Sequence, residues 1–385
     1  MSAGSATAPG ATLGVLGGGQ LGRMFVHAAQ RLGYRCAVLD PDVDSPAGRV
    51  AERHLCAGYL DEQALDALAR EADAVTTEFE NIPALALHRL AERVPVAPAP
   101  AAVAFCQDRA LEKALFQRCG VPCAPHAVID GESSLNAVSD ALLPGILKTA
   151  QLGYDGKGQH RVDNRAQLAS AWRQLGSVRC VLERRLDLAF EISVVLARGI
   201  SGDALVSYPP FRNLHRDGIL AVTHWPAPRV DGALAGAADA AARAIAQALD
   251  YVGVLCVEFF VDRHGALYAN EMAPRPHNSG HCTIDACDVS QFEWQVRALA
   301  DLPLPAPRVH SDAVMLNLLG DLWRDGMAPD WRDVLVLPGV HLHLYGKAQA
   351  RPGRKMGHLT LTAASATAAD AVAREAAQRL GLPAW

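Results

Sequence analysis

The sequence predicts a mixed α/β and α+β protein, and three patterns carry this prediction. From residue 11 to about 105, short apolar runs alternate with helical patterns, which is typical of a doubly wound α/β domain. A glycine-rich loop at 153–158 follows an apolar run that ends at Lys148. Farther along, two apolar runs flank residues 262–265 and predict a β-hairpin. We therefore expect a small glycine-bearing unit after the first domain, and then a larger unit that contains the hairpin.

Changes in composition divide the chain further. Residues 1–10 are small residues and proline after the initiator Met, a composition that cannot bury a core, so we expect a flexible tail. Proline and alanine dominate 95–102 and predict a linker, and the pattern after it predicts a helix from Gln107 to Arg118. The predicted parts are a flexible tail (1–10), an N-terminal α/β domain (11–105), a lid region (106–183), a core domain with the hairpin (184–305), and a small C-terminal segment (306–385) with short strands near 314–317 and 341–344 and a final alanine-rich helix.

Two glutamates, Glu258 and Glu271, lie on the strands of the predicted hairpin. If the loop is His264 and Gly265, the glutamates are direct partners, with Cβ atoms roughly 5 Å apart, and their like charges destabilise the sheet unless something neutralises them. Two carboxylates beside the amide oxygen of Asn270 form a site suited to Mg²⁺ next to ATP. The alternative is a register slip that places the carboxylates on opposite faces.

A first glycine motif follows the first predicted strand. Gly17, Gly19 and Gly22 fit G-x-G-x-x-G, and Asp40 ends the next strand. Taken alone, this is the fingerprint of NAD binding, but the same turn can hold any phosphate or make a tight strand-to-helix crossing. Glu80 ends a later strand of this domain, where a doubly wound sheet presents its ligand crevice, so we expect it to accept ribose hydroxyls.

The second glycine loop places Lys148 at the end of a strand before a glycine- and lysine-bearing segment at 153–159. This combination is suited to covering a polyphosphate, although an exposed turn is the alternative for the loop alone. It is not a Walker loop, because neither Lys157 nor Lys347 is followed by Ser or Thr. We expect residues 150–160 to be a lid that is mobile without nucleotide.

Polar residues concentrate in two further segments. Arg275 and His277 stand between and beside prolines directly after the hairpin. We expect His277 to handle a proton as a group that titrates near neutrality, and Arg275 to hold an anion. Arg354 and Lys355 form a basic knot suited to a terminal phosphate, with a solvated turn as the alternative.

Composition limits the classes of function. Half of the 385 residues are apolar and 20% are charged, and the chain has no run of about 20 apolar residues, so we expect no membrane insertion. The formal charge of −5 comes without a basic tract, so we expect no nucleic-acid partner. Nine cysteines without a Cys-x-x-Cys pair, and no signal peptide, predict reduced thiols in the cytoplasm. His341 and His343 share a strand face, but no third metal ligand accompanies them, so packing is expected.

Six motifs together resemble the ATP-grasp superfamily and, within it, the 5-(carboxyamino)imidazole ribonucleotide synthase family, the ATPase subunit of phosphoribosylaminoimidazole carboxylase. They are GGGQLGRM (17–24), TEFEN (77–81), GYDGKGQ (153–159), NLHRDGI (213–219), NEMAPRPHNSGH (270–281) and RPGRKMGH (351–358). The resemblance covers nearly the whole chain after residue 10, and the fifth and sixth motifs are its specific ones. It implies an ATP-grasp fold, purine biosynthesis, and a homodimer in the cytoplasm. It also implies that ATP and bicarbonate form carboxyphosphate and ADP, after which the amine of 5-aminoimidazole ribonucleotide captures the carboxyl group.

The resemblance also implies roles for individual residues. The implied metal site is Mg²⁺ on Glu258 and Glu271. The implied contacts of the aminoimidazole ribonucleotide are Gln20, Glu80, Arg354 and Lys355. The implied catalytic residues are Tyr154, Asp155, Lys157, Arg275, His277 and Lys355. The implied ATP contacts are Arg109, Lys148, Gly153, Tyr154, Asp155, Gly156, Lys157, Gly158, Gln159, Glu183, Arg184, Arg185, Leu186, Glu191, His215, Asn270 and Glu271.

Two positions depart from the family pattern. Cys282 stands where an aromatic residue is usual, which concerns local packing and not the reaction, and Arg216 replaces a common Gln. An NAD-dependent oxidoreductase would explain only residues 17–40, and a nucleotide-sensing module would leave Arg275 and His277 without a role. Within the superfamily, the alternatives are a formate-dependent phosphoribosylglycinamide formyltransferase and a biotin carboxylase.

Overall fold

The computed structural model describes residues 7–151, 153, 158–202 and 205–385. In its first unit the strands are parallel and lie in the order β3-β2-β1-β4, as the alternating pattern predicts. Apolar side chains from both faces of this sheet are buried under helices, which confirms the mixed α/β prediction. The elements are β1 (Thr12–Leu16), α1 (Gln20–Arg31), β2 (Arg35–Leu39), β3 (Arg53–Leu55), α2 (Glu62–Glu71), β4 (Ala74–Thr77), α3 (Ala84–Ala91) and α4 (Pro100–Cys106).

Part of the predicted flexible tail is tied to the rest of the molecule. The main-chain N–H of Thr7 donates to the carbonyl of Ala300 at 2.9 Å. The hydroxyl of Tyr34 donates to the carbonyl of Thr7 at 2.7 Å. Residues 7–10 are therefore attached, and the first six residues of the predicted tail lie outside the described residues.

The second unit is a small antiparallel sheet in the order β5-β8-β6-β7. Its first helix begins at Arg109, two residues later than predicted, because the carboxylate of Asp108 accepts the N–H of Ala110 and caps the helix. The second glycine loop joins β6 to β7, where the N–H of Thr149 donates to the carbonyl of Gly158 at 2.9 Å. The elements are α5 (Arg109–Arg118), β5 (His126–Ile129), α6 (Glu132–Ala137), a 3-10 turn (Asp140–Leu142), β6 (Gly145–Thr149), β7 (Gln159–Val162), α7 (Arg165–Gln174) and β8 (Cys180–Arg184).

The third and largest sheet contains the hairpin and, within the described ranges, nine strands. Eight of them lie in the order β14-β13-β9-β11-β12-β15-β17-β16, and β10 pairs with β9. Helices α8 and α12 cover one face. The elements are β9 (Leu188–Arg198), β10 (Val206–Ser207), β11 (Phe211–Arg216), β12 (Ile219–Trp225), α8 (Gly232–Ala248), β13 (Gly253–Asp262), β14 (Leu267–Ala273), a 3-10 turn (Asn278–Gly280), α9 (Thr283–Ala286), α10 (Gln291–Leu299), β15 (Asp312–Leu319), a 3-10 turn (Gly320–Leu322), α11 (Arg332–Leu335), β16 (Val340–Leu344), β17 (Lys355–Ala363) and α12 (Ala366–Leu380).

The C-terminal strands extend this sheet, because β12 pairs with β15 and β15 pairs with β17. The strands expected near 314–317 and 341–344 are present as β15 and β16, and the alanine-rich helix is α12. Strand β17 was not predicted, because its first residues belong to the basic knot. The domain boundaries themselves stay a prediction.

The hairpin places Glu258 directly opposite Glu271, as predicted. The pairing is not continuous from the turn to these glutamates, as a two-residue loop at His264 and Gly265 would require. A bulge follows Glu258: Phe259 pairs with Ala269, so Asn270 is the extra residue of β14. The predicted register therefore holds on the side of the bulge away from the turn and is wrong by one residue on the turn side.

Polar side chains form a row across one face of the large sheet, here called the polar belt. Direct pairs connect Glu271 to Glu258, Glu258 to Ser193, Asn213 to Thr223, and Asn317 to His358 and then His343. Direct partners in an antiparallel sheet point to the same face. The members of the polar belt are Glu271, Glu258, Ser193, Asn213, Thr223, Asn317, His358 and His343.

Candidate active site

A cavity of about 660 Å³ lies between the first unit, the hairpin and the start of β17. It contains acidic residues from the hairpin and basic residues from the C-terminal segment, which begins 35 residues after Glu271. The predicted site residues that line it are Gln20, Glu80, Arg109, Gly153, Glu258, Glu271, Arg275, His277, Arg354 and Lys355.

The two facing glutamates differ in their electrostatic surroundings. Burial, offset in part by His215 and reinforced by Glu271, raises the pKa of Glu258 to about 7. Burial also disfavours the charge of Glu271, but Arg109 and Lys148 outweigh it and hold the pKa of Glu271 at about 2. The Nη1 of Arg109 lies 2.9 Å from Oε2 of Glu271. Like charges at adjacent positions titrate as a pair, so the pair can hold one proton near neutral pH.

Lys113 supports the bulge between these glutamates. Its side chain has no solvent exposure, and its Nζ donates to the main-chain carbonyl of Asn270 at 2.8 Å. Beside it, the Oε1 of Glu112 accepts the N–H of Met272 at 2.6 Å, and burial raises the pKa of Glu112 to about 8. Oδ1 of Asn270 is buried without a hydrogen-bond partner among the described residues. A buried oxygen of this kind requires a partner such as a ligand or an ion.

A buried ion pair lies at the end of β6. The Nζ of Lys148 donates to Oε2 of Glu183 at 3.0 Å, and Nζ of Lys113 lies 3.4 Å from Oε1 of Glu183. Burial lowers the pKa of Lys148, and Lys148 and Lys113 together outweigh burial to hold the pKa of Glu183 at about 2. The pair therefore holds the amine of Lys148 at the end of β6, where the chain enters the second glycine loop.

Two polar contacts join the first unit to the rest of the cavity. Nε of Arg275 donates to Oε2 of Glu80 in a short ion pair, and Nη1 donates to the carbonyl of Pro276 at 3.1 Å. Nζ of Lys347 donates to Oε1 of Gln20, and also to the carbonyl of Lys355 at 2.7 Å. The predicted substrate residues Gln20 and Glu80 are thus held by side chains from the later units.

His277 faces the acidic pair. Its Nε2 lies 3.1 Å from Oε1 of Glu258, and its Nδ1 lies 2.9 Å from the hydroxyl of Ser279. Burial, with the charges of Arg275 and Lys355, holds the pKa of His277 well below its usual range. The imidazole is therefore uncharged near pH 7. The sequence had predicted instead that His277 titrates near that pH.

The first glycine turn is filled by a protein carboxylate. Oε1 of Glu78 accepts the N–H of Gly19 at 2.9 Å, and Oε2 accepts the N–H of Gly22 at 3.1 Å. Asp40 accepts the N–H of Gly18 at 2.6 Å. These N–H groups are the ones that would bind pyrophosphate in a dinucleotide-binding turn. The NAD interpretation is therefore disfavoured by the geometry of the turn itself.

Glu191 and His215 form an ion pair on neighbouring strands of the core sheet. Oε2 of Glu191 lies 2.6 Å from Nδ1 of His215. Burial disfavours the charged imidazole, but Glu191 and Glu258 outweigh it and raise the pKa of His215 to about 9. Both residues line a second cavity, of about 700 Å³, and not the first.

The other predicted residues have varied positions. Arg184 and Arg185 are exposed and Leu186 is half-buried at and just after the end of β8, while Gly158 precedes the return strand β7 and Gln159 begins it. Arg216 donates to the carbonyl of Ala384 at 2.7 Å, and Cys282 is buried in the core between the sheet and α10. Outside the described residues lie four predicted residues: Tyr154, Asp155, Gly156 and Lys157.

Several residues of the site were not predicted: Lys113, Glu112, Glu78 and Lys347. For two of them a signal existed. Arg109, Glu112 and Lys113 occupy the same helical stripe as buried Phe116, so charges stand where periodicity predicts apolar core residues. A charge on a buried stripe indicates a partner in the core.

Three features are not found among the described residues: a metal-binding cluster, a disulfide bond and a membrane-spanning helix. That part contains no cluster of three or more His, Cys, Asp or Glu side chains placed to hold a metal, and its nine cysteines are free. His343 and His341 instead face Asp285, at 2.8 and 3.6 Å. In the residues that the structure describes, no helix is both long and apolar enough to cross a membrane.

The chain is similar to known proteins over most of its length. Residues 10–107 match the ribonucleotide synthetase preATP-grasp domain, 114–292 the ATP-grasp domain, and 313–372 the phosphoribosylaminoimidazole carboxylase C-terminal domain. The N5-carboxyaminoimidazole ribonucleotide synthase of Brucella melitensis is 46% identical over 91% of this chain and 96% of its own. That of Bacillus subtilis is 40% identical over 91% of both chains.

Solved structures agree with the sequence relatives. An N5-carboxyaminoimidazole ribonucleotide synthetase with ADP superposes with a TM-score of 0.90, at 37% identity over 98% of both chains. The Aspergillus clavatus enzyme in complex with ADP and 5-aminoimidazole ribonucleotide gives 0.88, at 32% identity over 97% of this chain and 99% of that one.

The fold and the site together define an ATP-grasp carbon–nitrogen ligase. Both the sequence relatives and the solved structures belong to one branch of that superfamily. The chain belongs to the N5-carboxyaminoimidazole ribonucleotide synthase family, and the resemblance seen in its motifs is confirmed.

Proposed function

We propose that this protein carboxylates the exocyclic amine of 5-aminoimidazole ribonucleotide in purine biosynthesis, using ATP and bicarbonate by way of carboxyphosphate. The observation that carries the proposal is the content of one cavity, which is lined by the acidic pair, by the Arg275–Glu80 ion pair, and by the basic residues Arg354 and Lys355. The acidic pair suits metal-bound polyphosphate, and the basic residues suit the phosphate of a ribonucleotide. The bound ADP and 5-aminoimidazole ribonucleotide of the Aspergillus clavatus relative support the same assignment.

The residues of the hairpin fit Mg²⁺. Glu258 and Glu271 offer carboxylate oxygens, and Asn270, in the bulge between the strands, has a buried Oδ1 without a hydrogen-bond partner in the described residues. Hard oxygen donors of this kind are the ligands that Mg²⁺ prefers. When bound, the ion would supply positive charge to the phosphates of ATP. A bound ion would also remove the like-charge repulsion between the two glutamates.

The chain's own residues would then carry the reaction in two steps. A bicarbonate oxygen attacks the γ-phosphorus and ADP leaves, so the site must neutralise negative charge, for which Arg109 and Lys148 stand beside Glu271. In the second step the amine nitrogen attacks the carboxyl carbon, phosphate leaves, and the nitrogen loses a proton. We propose that Arg275 binds the carboxyphosphate anion and that His277 orients the reacting groups. Lys355 and Gln20 would bind the phosphate end of the ribonucleotide.

Water must be kept from carboxyphosphate, because the intermediate hydrolyses. Residues 153–159 of the second glycine loop are proposed to cover it, with Tyr154, Asp155 and Lys157 around the carboxyphosphate. ATP would also contact Glu183, Glu191 and His215, along the strands that lead from this loop to the hairpin.

The decisive experiment measures product and phosphate together. Purified protein with Mg²⁺-ATP and ¹³C-bicarbonate should release phosphate and form a ¹³C-labelled carbamate on 5-aminoimidazole ribonucleotide, in a ratio close to one. Formate with phosphoribosylglycinamide, and biotin with bicarbonate, serve as the competing acceptor reactions. Labelled product on either competing acceptor at a comparable rate would overturn the assignment, and so would the absence of product on aminoimidazole ribonucleotide.

We also propose a homodimer located in the cytoplasm. The support for the location is the set of nine free cysteines, which suits a reducing compartment. The support for the dimer is the family resemblance. Sedimentation velocity at micromolar concentration tests the dimer: a single species near 41 kDa, the mass of one chain, would contradict it.

A further inference from the structure

A chain of buried hydrogen bonds runs from the core sheet to the back of His277. The hydroxyl of Thr223 donates to Oδ1 of Asn213 at 3.0 Å, and Nδ2 of Asn213 donates to Oγ of Ser193 at 3.0 Å. The hydroxyls of Ser193 and Ser279 are 2.7 Å apart, and that of Ser279 reaches Nδ1 of His277 at 2.9 Å. Thr223, Ser193 and Ser279 have no solvent exposure.

The register of the sheet explains why these residues meet. Ser193 pairs directly with Glu258, and Thr223 pairs directly with Asn213. Phe211 pairs with Ser193, so Asn213, two residues along, is a diagonal neighbour of Ser193 on the same face. Thr223, Asn213 and Ser193 belong to the polar belt, and Ser279 contacts it through the hydroxyl of Ser193. The 3-10 turn with Ser279 lies on top of that face.

The main-chain N–H of Ser279 fixes which group donates and which accepts at each step of this series of hydrogen bonds. The N–H of Ser279 also points at Nδ1 of His277, at 3.3 Å, and a main-chain N–H can only donate. Nδ1 is therefore an acceptor without a proton of its own, so the single ring proton is on Nε2, which faces Oε1 of Glu258 at 3.1 Å. The Ser279 hydroxyl then donates to Nδ1 and accepts from Ser193, so every member of the chain has a defined donor and acceptor role.

We propose that Ser279, Ser193 and Asn213 are positioning residues that hold His277 as the tautomer protonated on Nε2 and direct that proton toward Glu258. The inference rests on the proposed function for its catalytic meaning, but the tautomer can be observed without turnover. The opposite tautomer would turn the hydrogen on Nδ1 against the N–H of Ser279, and it would place the lone pair of Nε2 against an ionised Glu258. Buried hydroxyls are costly unless they are bonded, so packing alone gives no reason for hydroxyl groups at these positions.

The test compares Ser279→Ala and Thr223→Val with the parent protein. The ¹⁵N shifts of the His277 ring, assigned among the 14 histidines by difference from His277→Asn, report the tautomer directly. We expect one Nε2–H tautomer in the parent and a mixture in Ser279→Ala. Carboxylated product per ATP consumed should fall roughly five- to tenfold, the change that one lost hydrogen bond makes in an equilibrium, with KM for ATP within twofold.

Thr360→Val is the matched control. Thr360 is buried in the same sheet, and its hydroxyl has no hydrogen-bond partner among the described residues, so the tautomer and the product ratio should be unchanged. Thr223→Val, at the far end of the chain, should have a smaller effect of the same sign and reports on the network if Ser279→Ala does not fold. The inference would be overturned if Ser279→Ala and Thr223→Val both kept a single Nε2–H tautomer and the same ratio of carboxylated product to ATP consumed as the parent. Loss of the parent's own activity toward aminoimidazole ribonucleotide would instead overturn the proposed function and leave the tautomer result standing.

Discussion

Lys113 donates to the main-chain carbonyl of Asn270 at 2.8 Å, from a side chain that has no contact with solvent. A residue of helix α5 thereby stabilises a bulge in a strand that is more than 150 residues later in the sequence. The bulge brings Glu271 opposite Glu258 while it turns Asn270 out of the regular ladder. The geometry of the acidic pair therefore depends on a buried ammonium.

Lys113→Met should lower the free energy of unfolding by about 3 kcal/mol or more, since it removes one partner from a buried ion pair with Glu183 and leaves the bulge carbonyl without its donor. Urea denaturation at pH 7 measures the change. Arg173→Met, an exposed charge on α7, is the control and should stay within about 0.5 kcal/mol of the parent. Equal stability of the two variants would show that Lys113 does not support the site.

Glu271→Gln should preserve the fold, because it removes one member of a like-charge pair and keeps an amide oxygen that can accept from Arg109, but it should abolish most Mg²⁺-dependent ATP cleavage. Phosphate release across a Mg²⁺ titration is the measurement, with the exposed Glu132→Gln as the control. Turnover within about threefold of the parent, a change of under roughly 1 kcal/mol in the barrier, would mean that the metal site is misassigned.

His277→Asn should reduce carboxylated product far more than ATP binding, and should leave ATP cleavage partly uncoupled from product, because it removes the imidazole that faces Glu258. Product and ADP are quantified in the same reaction. His264→Asn, in the exposed hairpin turn, is the matched control. An unchanged rate and product ratio in His277→Asn would move the catalytic assignment to Lys355 or Asp155.

Gly158→Ala should destabilise the base of the second glycine loop. Gly158 has a φ of +70°, and an added Cβ would lie 2.8 Å from Oγ1 of Thr149, so the strain is about 1–2 kcal/mol and KM for ATP should rise. Gly236→Ala, in helix α8 with open space around the position, should stabilise by about 0.5–1 kcal/mol. Thermal unfolding of the two variants tests this opposition, and equal shifts in Tm would contradict it.

The His215–Glu191 pair should make stability depend on alkaline pH. The folded pKa of His215 is about 9 and its ordinary value is 6.5, so the folded state binds the proton more tightly than the unfolded chain. The contribution, at most about 3 kcal/mol, is complete below pH 6.5 and is lost as pH rises through about 9. His215→Gln should flatten urea stability between these limits. His224→Gln should not, because burial outweighs Asp370 and lowers the pKa of His224; the same slope in all three proteins would exclude the pair as its source.

Local patterns predicted much of this molecule from sequence. Strand periodicity predicted the hairpin and the pairing of Glu258 with Glu271, although the bulge and not the turn sets that pairing, and the order of the motifs identified the family. These features depend on residues that are close in sequence, or on the order and spacing of motifs along the chain, and both can be read directly from one sequence.

The missed features depend on partners that are distant in sequence. The bulge at Asn270 requires Lys113, and the filled glycine turn requires Glu78, which is 56 residues beyond Gly22. Strand β17 was hidden because Lys355 serves both the basic knot and the strand. The periodicity of a sequence does not predict which distant side chain will form a hydrogen bond with a given main-chain group.

The continuity of the large sheet has a consequence for the order of events in turnover. The strands that hold Glu258, Glu271 and Lys355 belong to one hydrogen-bonded body, whereas the second glycine loop belongs to the separate four-stranded sheet. Movement of the small sheet alone would open the nucleotide side and leave the strands that carry Glu258, Glu271 and Lys355 paired as they are. An enzyme whose intermediate decays in water would benefit from this division, since the acceptor side would keep its shape while the nucleotide side opens and closes.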